Sequence, residues 1–365
     1  MNRVEVDFVT IQSNISEIIR HSDKQIMCVV KSNAYGHGLE KTVNSLFSQG
    51  INRFSTYYLH EALKIKKIIP HAQVLHLGPI FSDPDIELLC ENDIDLTITS
   101  IDQLRNISEK TRVYSNPLKV HLKIDTGLSR NGIHYSDFDK LKSEVFSILE
   151  HSNLDCVGVM SHLMMSDKES KTTAKQIQRF ETVCHEFSRS NISVKHFHLG
   201  NTSYLFHKSD QYSNMVRIGI GIYGLSCGVE YHGQGLDIKP AMSFTSRVIS
   251  TKTIRKGDRV SYGGKFTADS DMRIAVVAAG YADGIPRTAS KEAYVTISGQ
   301  KCSVLGVVCM NNFTIDITDI KDEIDIGEVV TIFSNGEFNS PTADDWGAWS
   351  NSIGYEVVTN IGRLN

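Results

Sequence analysis

The sequence predicts an α/β chain in two parts, an N-terminal (β/α)8 barrel of the TIM type over residues 9–235 and a mostly β domain over residues 236–365. Two observations carry this. Short β-branched or apolar runs recur eight times before residue 224, at 26–30, 54–58, 74–77, 96–99, 120–124, 156–160, 194–199 and 215–222. Amphipathic stretches separate several of them, such as Glu61-Ala62-Leu63-Lys64-Ile65 and the acid- and base-rich span 167–188. Eight such alternations favour a closed parallel barrel, with an open doubly wound sheet as the competing reading. The second observation is a change of texture after Gly235. Helical patterning nearly vanishes, and strand-like runs follow at 244–249, 273–278, 293–297, 304–308, 313–317 and 329–333. Turns such as Lys256-Gly257-Asp258 and Ser298-Gly299 separate them. The boundary is expected near 231–239, where Gly233, Gln234 and Gly235 read as a loop.

Bulk properties narrow the partner. A chain of 365 residues suits about two domains, and 41% apolar with 22% charged residues is an ordinary globular mixture. A net charge of −4 leaves no basic footprint for nucleic acid or an anionic membrane, so a small molecule is the expected ligand. The first residues lack the apolar run of a secretory leader, and no stretch approaches the ~20 apolar residues that cross a bilayer. Seven scattered cysteines, never spaced C-x-x-C, argue against a disulfide framework or metal site and for a reducing cytoplasm.

In a barrel of this kind chemistry collects where strands end. The first apolar run ends in Val30-Lys31-Ser32-Asn33-Ala34-Tyr35-Gly36-His37-Gly38. A lysine there is costly to bury unpaired, and condensation with an aldehyde cofactor would remove the charge. An isolated lysine would more often snorkel to the rim. Here Tyr35 can donate to a phosphate, and Gly36 and Gly38 let backbone approach a ligand.

The segment 30–38 resembles the cofactor-lysine motif of alanine racemases, and further segments match in order across nearly the whole chain. They are Lys123-Ile124-Asp125-Thr126-Gly127-Leu128-Ser129-Arg130-Asn131-Gly132, Ser161-His162, Gly200-Asn201-Thr202-Ser203, Val216-Arg217-Ile218-Gly219-Ile220 and Gly280-Tyr281-Ala282-Asp283-Gly284-Ile285-Pro286-Arg287. Cys309-Met310 and Tyr355-Glu356 complete the series. The resemblance implies pyridoxal 5′-phosphate carried by Lys31, which also serves as base on one face of the substrate carbon. It implies Tyr281 as the opposite base, contributed by the partner in a head-to-tail homodimer with shared sites. Racemisation benefits from such a pair, because a proton taken from one face must be returned to the other. A free tyrosine keeps its proton to about pH 10, so cations or donors must favour the phenolate. By itself Tyr281 would read as a turn residue beside Asp283-Gly284.

The same resemblance assigns Arg217 to the pyridine nitrogen and His162 to contact with that arginine. A guanidinium cannot usefully give up its proton, so the ring nitrogen stays unprotonated, which suits racemisation over transamination. Tyr35, Asn201, Thr202, Gly219, Ile220 and Tyr355 match the phosphate set, with Thr202 where serine is common. Arg130 and the backbone around Met310 match the groups that hold the substrate carboxylate. Lys123 shares a strand face with His121 and Asp125 by the period of two. It is either a plain lysine paired with Asp125 or, as its counterpart often is, a carbamylated lysine that orients Arg130. Residues 2–8 are implied to add a strand to the second domain, and the implied role is supply of D-alanine for bacterial cell wall.

Two departures stand near the implied carboxylate site, Asn311 where aspartate is usual and Val307 where arginine is frequent. They leave open a serine or broad-specificity racemase on the same scaffold. A related decarboxylase is disfavoured by Arg217, and a non-enzymatic carrier of the cofactor by the second domain with its tyrosine. The run Gly219-Ile220-Gly221-Ile222-Tyr223-Gly224 satisfies G-x-G-x-x-G and raises an NAD-dependent oxidoreductase. It lies within a strand-like run with no clear helix after it, so coincidence is the expected outcome.

Overall fold

Eight parallel strands close into a barrel in the computed structural model, which describes residues 1–167, 170–206, 211–227, 236–289 and 291–364. Arg3–Val6 (β1) comes first and belongs elsewhere. The barrel strands are Gln25–Val29 (β2), Arg53–Thr56 (β3), Gln73–His76 (β4), Ile94–Ile98 (β5), Leu118–Asp125 (β6), Leu154–Met160 (β8), His196–His198 (β9) and Met215–Ile218 (β10). A two-residue strand, Ile133–His134 (β7), adds to the end of β6. Closure is direct, since β10 pairs with β2 and β5 with β6. The open doubly wound alternative is thereby excluded.

Helices on the outside cover strands whose side chains are buried on both faces, as parallel sheets require. The helix Phe8–His21 shows how sequence sets position. Asp7 accepts the Val9 and Thr10 amides at 2.9 and 3.3 Å and starts the helix. Its buried Asn14 then donates to Ile222 O and Lys239 O at 3.0 and 2.8 Å and accepts the Lys239 amide at 2.9 Å. One side chain therefore ties the last barrel turn to the start of the second domain. The expected boundary at 235–236 falls against residues 228–235, which lie outside the described residues.

The second domain is a closed antiparallel sheet. Met242–Ile254 (β11) is long enough to pair with Val329–Phe333 (β18) along its first half and with Met272–Val277 (β14) along its second. Between them run Phe313–Asp316 (β17), Gln300–Leu305 (β16) and Tyr294–Ile297 (β15). A small ribbon of Arg259–Val260 (β12) and Phe266–Thr267 (β13) projects from it. β1 pairs antiparallel with β11, Arg3 opposite Thr245 and Val6 opposite Met242.

Three elements differ from the sequence reading. The eighth barrel strand stops at Ile218 because Gly219 takes φ −116° and ψ −93° and turns the chain into a 3-10 segment, Ile220–Tyr223. No α-helix follows at once, so the glycine run has no dinucleotide-type turn. The hairpin β15–β16 turns on Ser298 and Gly299, both left-handed, so β16 begins four residues earlier than its apolar residues suggest. Helices Ala343–Trp349 and Gly354–Ile361 close the chain where little helix is legible. The first is fixed by a Thr342–Asp345 capping box and by Trp346, whose indole donates to Ile332 O at 2.7 Å. Among the described residues no helix is long and apolar enough to cross a membrane.

Candidate active site

Strand order brings the motif residues to one mouth of the barrel. Register places Arg217 of β10 opposite Met27 of β2, the strand that leads into Lys31. It places Lys123 of β6 opposite Met160 of β8, and Ser161-His162 follow directly. Met160 in turn lies opposite His198 of β9.

Lys31 opens an unusual turn. Ser32, Asn33, Ala34 and Tyr35 all have φ between 52 and 56°, a left-handed turn made without glycine. Such backbone costs roughly 1–2 kcal/mol per residue, so surrounding contacts must hold it. Glu61 Oε1 accepts the Asn33 amide at 2.7 Å, and Asn33 Oδ1 accepts the Leu39 amide at 2.8 Å. Gly36 continues the turn at φ 84°, and a Cβ there would meet Val358 O at 2.4 Å. The Lys31 turn thus packs on the last turn of helix Gly354–Ile361. Sequence reasoning passed over Glu61, because its partner lies 28 residues away.

Arg217 is almost wholly buried and fully engaged on one side. Its Nη1 donates to His198 O and Nδ1 at 2.9 and 3.0 Å, and its Nη2 donates to Ser161 O at 2.7 Å and His162 Nδ1 at 3.2 Å. Burial and the Arg130 charge bring it down to about 10. Burial, then Arg217 and Arg130, hold His162 well below the ordinary histidine value, so it stays a neutral acceptor. His198 was not singled out in the sequence, although its alternation with His196 in His196-Phe197-His198 marks it as facing inward with period two.

Lys123 donates to Asn131 Oδ1. Asp125, the expected partner, instead accepts the Gly127 and Ser129 amides at 2.8 and 3.2 Å and shapes the loop that carries Arg130. Burial first, then Arg130 and Arg217, push Lys123 down to about 7 against the pull of Asp125. Lys31 is lowered by burial and by Arg130, with Glu61 opposing. At one barrel mouth Arg130 therefore acts on Lys31, Lys123 and Arg217, and Lys123 also feels Arg217 and Lys31.

Beside them, at Gly219 and Gly221, the backbone passes close to the side chains of Tyr35 and Thr202. A Cβ on Gly219 would lie 2.6 Å from the Tyr35 hydroxyl, and one on Gly221 would lie 2.5 Å from Thr202 Cγ2. Thr202 Oγ1 accepts the Gly221 amide at 3.4 Å, joining the loops after β9 and β10. Asn201 Oδ1 accepts from Ser166 Oγ at 2.7 Å and from the Tyr204 amide at 3.3 Å, which starts the turn Thr202–Phe206. Tyr35 and Tyr355 meet edge to face, ring centroids 6.2 Å apart. Ile220 is buried in the short turn below.

Tyr281 and Met310 form a second group, on the β domain. The Tyr281 amide donates to Cys309 O at 3.0 Å and the Ala282 amide to Met310 O at 2.9 Å, which locks the two loops together. Gly280 N donates to Asp283 Oδ2 at 2.8 Å, and Gly284 turns at φ 93°. Tyr281 and Met310 are nevertheless 41% and 55% exposed, a large apolar pair left facing outward. An open cavity of about 540 Å³ beside Tyr281 is lined also by Arg287, Asn351, Glu356 and Asn360.

The chain matches two family models end to end, the alanine racemase N-terminal domain over residues 6–227 and the alanine racemase C-terminal domain over residues 241–365. It is 34% identical over 360 residues to the alanine racemase of Salinispora tropica, covering 98% of this chain and 95% of that one. The chain belongs to the alanine racemase family. Solved structures agree. The alanine racemase of the D-cycloserine producer Streptomyces lavendulae superposes with a TM-score of 0.91 at 27% identity, over 99% of this chain and 94% of that one. The alanine racemase of Bacillus anthracis with bound L-Ala-P has a TM-score of 0.86 at 30% identity, over 99% and 92%. For an alanine racemase fold, the residues present fit a phosphorylated pyridine aldehyde. They offer an amine on Lys31, a donor in Arg217, and, where the Gly219 backbone comes close to the Tyr35 hydroxyl, backbone and hydroxyl groups for a phosphate.

Proposed function

We propose that this protein interconverts L- and D-alanine with pyridoxal 5′-phosphate as cofactor, in the cytoplasm, as a homodimer with shared sites. The observation that carries the reading is the convergence of Lys31, Lys123, Arg130 and Arg217 at one barrel mouth, beside the close approach of the Gly219 backbone to the Tyr35 hydroxyl. Such a concentration of positive charge calls for anions, and a phosphate and a substrate carboxylate supply them.

When bound, pyridoxal phosphate supplies an aldehyde for the amine and an electron sink for the Cα–H bond. Lys31 holds it, and once released takes or returns the proton on one face through Nζ. Its lowered affinity for the proton helps, because a neutral amine is the working base. Tyr281 of a second copy works the other face through its hydroxyl, which accounts for an exposed phenol beside exposed Met310. Arg217, held by His162 Nδ1 and Ser161 O, would donate to the ring nitrogen. The Tyr35 and Tyr355 hydroxyls, Thr202 and the backbone at Asn201, Gly219 and Ile220 hold the phosphate, and Arg130 with the Met310 backbone holds the carboxylate. Lys123 as a neutral amine can add carbon dioxide through Nζ, forming an N–C bond and releasing one proton to water, and the resulting carbamate anion would orient Arg130. Seven free cysteines suit a reducing compartment.

The decisive experiment reduces the protein with borohydride in the presence of pyridoxal phosphate, maps the modified lysine, and assays L- and D-alanine, with serine and larger amino acids alongside. Cofactor fixed at Lys31 and interconversion of alanine in both directions are expected. Modification elsewhere, or no turnover of alanine, overturns the reading. Faster turnover of serine would point to Asn311 and Val307 as the cause of a changed specificity.

A further inference from the structure

The face of Arg217 turned into the barrel meets a line of side chains that the reaction does not touch. Arginine has donors only, so His198 Nδ1, 3.0 Å from Arg217 Nη1, must be the unprotonated nitrogen. Its proton is then on Nε2, which lies 2.8 Å from His121 Nδ1. His121 Nδ1 accepts, so the His121 proton is on Nε2, and that atom lies 3.3 Å from Asp95 Oδ2. An ionised carboxylate has acceptors only. The chain thus starts at a group that can only donate and ends at a group that can only accept, and each end alone dictates the same two tautomers.

The setting is built for this line. His121 and His198 are wholly buried, and the Asp95 side chain is 13% exposed. The three residues stand on β5, β6 and β9, rigid elements of the barrel. Gly158 of β8 makes the room, since a Cβ there would sit 2.0 Å from His121 Nδ1. His196 stacks parallel to His121 at 6.3 Å and is pushed down to about 4 by burial, so it brings no charge.

We propose that Asp95, His121 and His198 are positioning residues for Arg217, a one-way hydrogen-bond chain that fixes the guanidinium plane and lends it the Asp95 charge from across the barrel. The proposal rests on Arg217 meeting the cofactor nitrogen, and deepens that reading. A carboxylate behind two oriented imidazoles makes His198 a stronger acceptor, as an outer carboxylate does for a histidine that holds a metal. Protonating either ring would break the line, because no acceptor remains for the added N–H.

The test is nitrogen NMR on holoenzyme labelled at histidine, with assignment by His121→Gln and His198→Gln. His121 and His198 should both carry the proton on Nε2 and stay neutral through the activity range. Either ring found protonated on Nδ1, or as an imidazolium, overturns the chain. Asp95→Asn keeps the shape but removes the charge and adds a donor, which makes the reversed tautomers accessible. It should shift the His198 resonances and lower kcat/KM roughly tenfold, the scale of a hydrogen bond to a charged group, while Asp95→Glu recovers part of the loss. An Asp95→Asn enzyme with wild-type His198 resonances and wild-type kcat/KM overturns the proposal. The wild-type tautomer measurement decides the chain even if that variant fails to fold. The hydrogen-bond chain involves no cofactor atom, so the same tautomers can be read on the protein without cofactor; a failed borohydride experiment then removes the role toward the ring nitrogen, whereas wrong tautomers remove the chain.

Discussion

Glu61 and Asn33 meet at 2.7 Å across the top of the barrel, carboxylate oxygen to backbone amide, and that bond holds the left-handed turn on which Lys31 is mounted. Glu61 is 4% exposed, and its second oxygen has no hydrogen-bond partner among the described residues. Replacing Glu61 with alanine would leave the Asn33 amide unsatisfied at a cost of about 1–3 kcal/mol. Glu61→Gln keeps the acceptor and should recover most of it. Urea unfolding of both variants, with cofactor titration, checks this; an Ala variant as stable and as tightly loaded as wild type refutes it.

At Gly219 the expected effect falls on the cofactor and spares the fold. A methyl group there would come within 2.6 Å of the Tyr35 hydroxyl, the group proposed to face the phosphate. Gly219→Ala should weaken pyridoxal phosphate binding at least tenfold, about 1.4 kcal/mol or more, with little change in the unfolding midpoint of the apoprotein. Fluorescence titration with the cofactor measures it.

Lys123 gives a pH signature. Its folded pKa of about 7 lies below the roughly 10.4 of an unfolded lysine, so the unfolded chain binds more protons between those values. Stability should therefore rise with pH from about 7 to about 10, the penalty being fully present below that window. Lys123→Met should raise stability at neutral pH and flatten that part of the profile. If Lys123 is carbamylated, added bicarbonate should raise stability near neutrality, and native mass spectrometry should show one added carbon dioxide per chain that acid removes.

Shared sites predict complementation. Tyr281→Phe should lower kcat by about 10²–10⁴, the usual worth of a positioned acid or base, with KM little changed. Lys31→Ala should be inactive. Mixed and allowed to exchange, the two variants should regain activity through hybrid dimers holding one intact site. No recovery in dimers shown to have exchanged would place both bases in one chain.

The barrel was legible because its strands are short, β-branched or apolar on the face that meets the helices, and end at residues that cannot continue them. Lys31, Arg217 and Gly219 stand at or next to such ends, which is why their chemistry could be read locally. The strand at 215–222 was overextended because Ile220 and Ile222 are apolar, yet Gly219 turns the chain before them. The closing helices were missed because Gly354-Tyr355-Glu356-Val357-Val358-Thr359-Asn360-Ile361 has β-branched residues and glycine, and only packing makes it helical. Strand period puts Lys123 and Asp125 on one face and makes their pairing one of two readings of Lys123. The loop chose otherwise, since Asp125 is needed by the Gly127 and Ser129 amides. Glu61 acts through a partner 28 residues away that nothing local announces, whereas the His196-Phe197-His198 alternation gives the direction of His198 but not its partner, Arg217.

The helix Gly354–Ile361 touches both turns that matter, Gly36 against Val358 and Gly284 against Asn360. A chain cut after the barrel would leave the Lys31 turn without its backing and Tyr35 without Tyr355. The two segments that sequence families record separately are thus a single mechanical unit at the lysine, and trimming even the final helix should release the strained turn before it disturbs any strand.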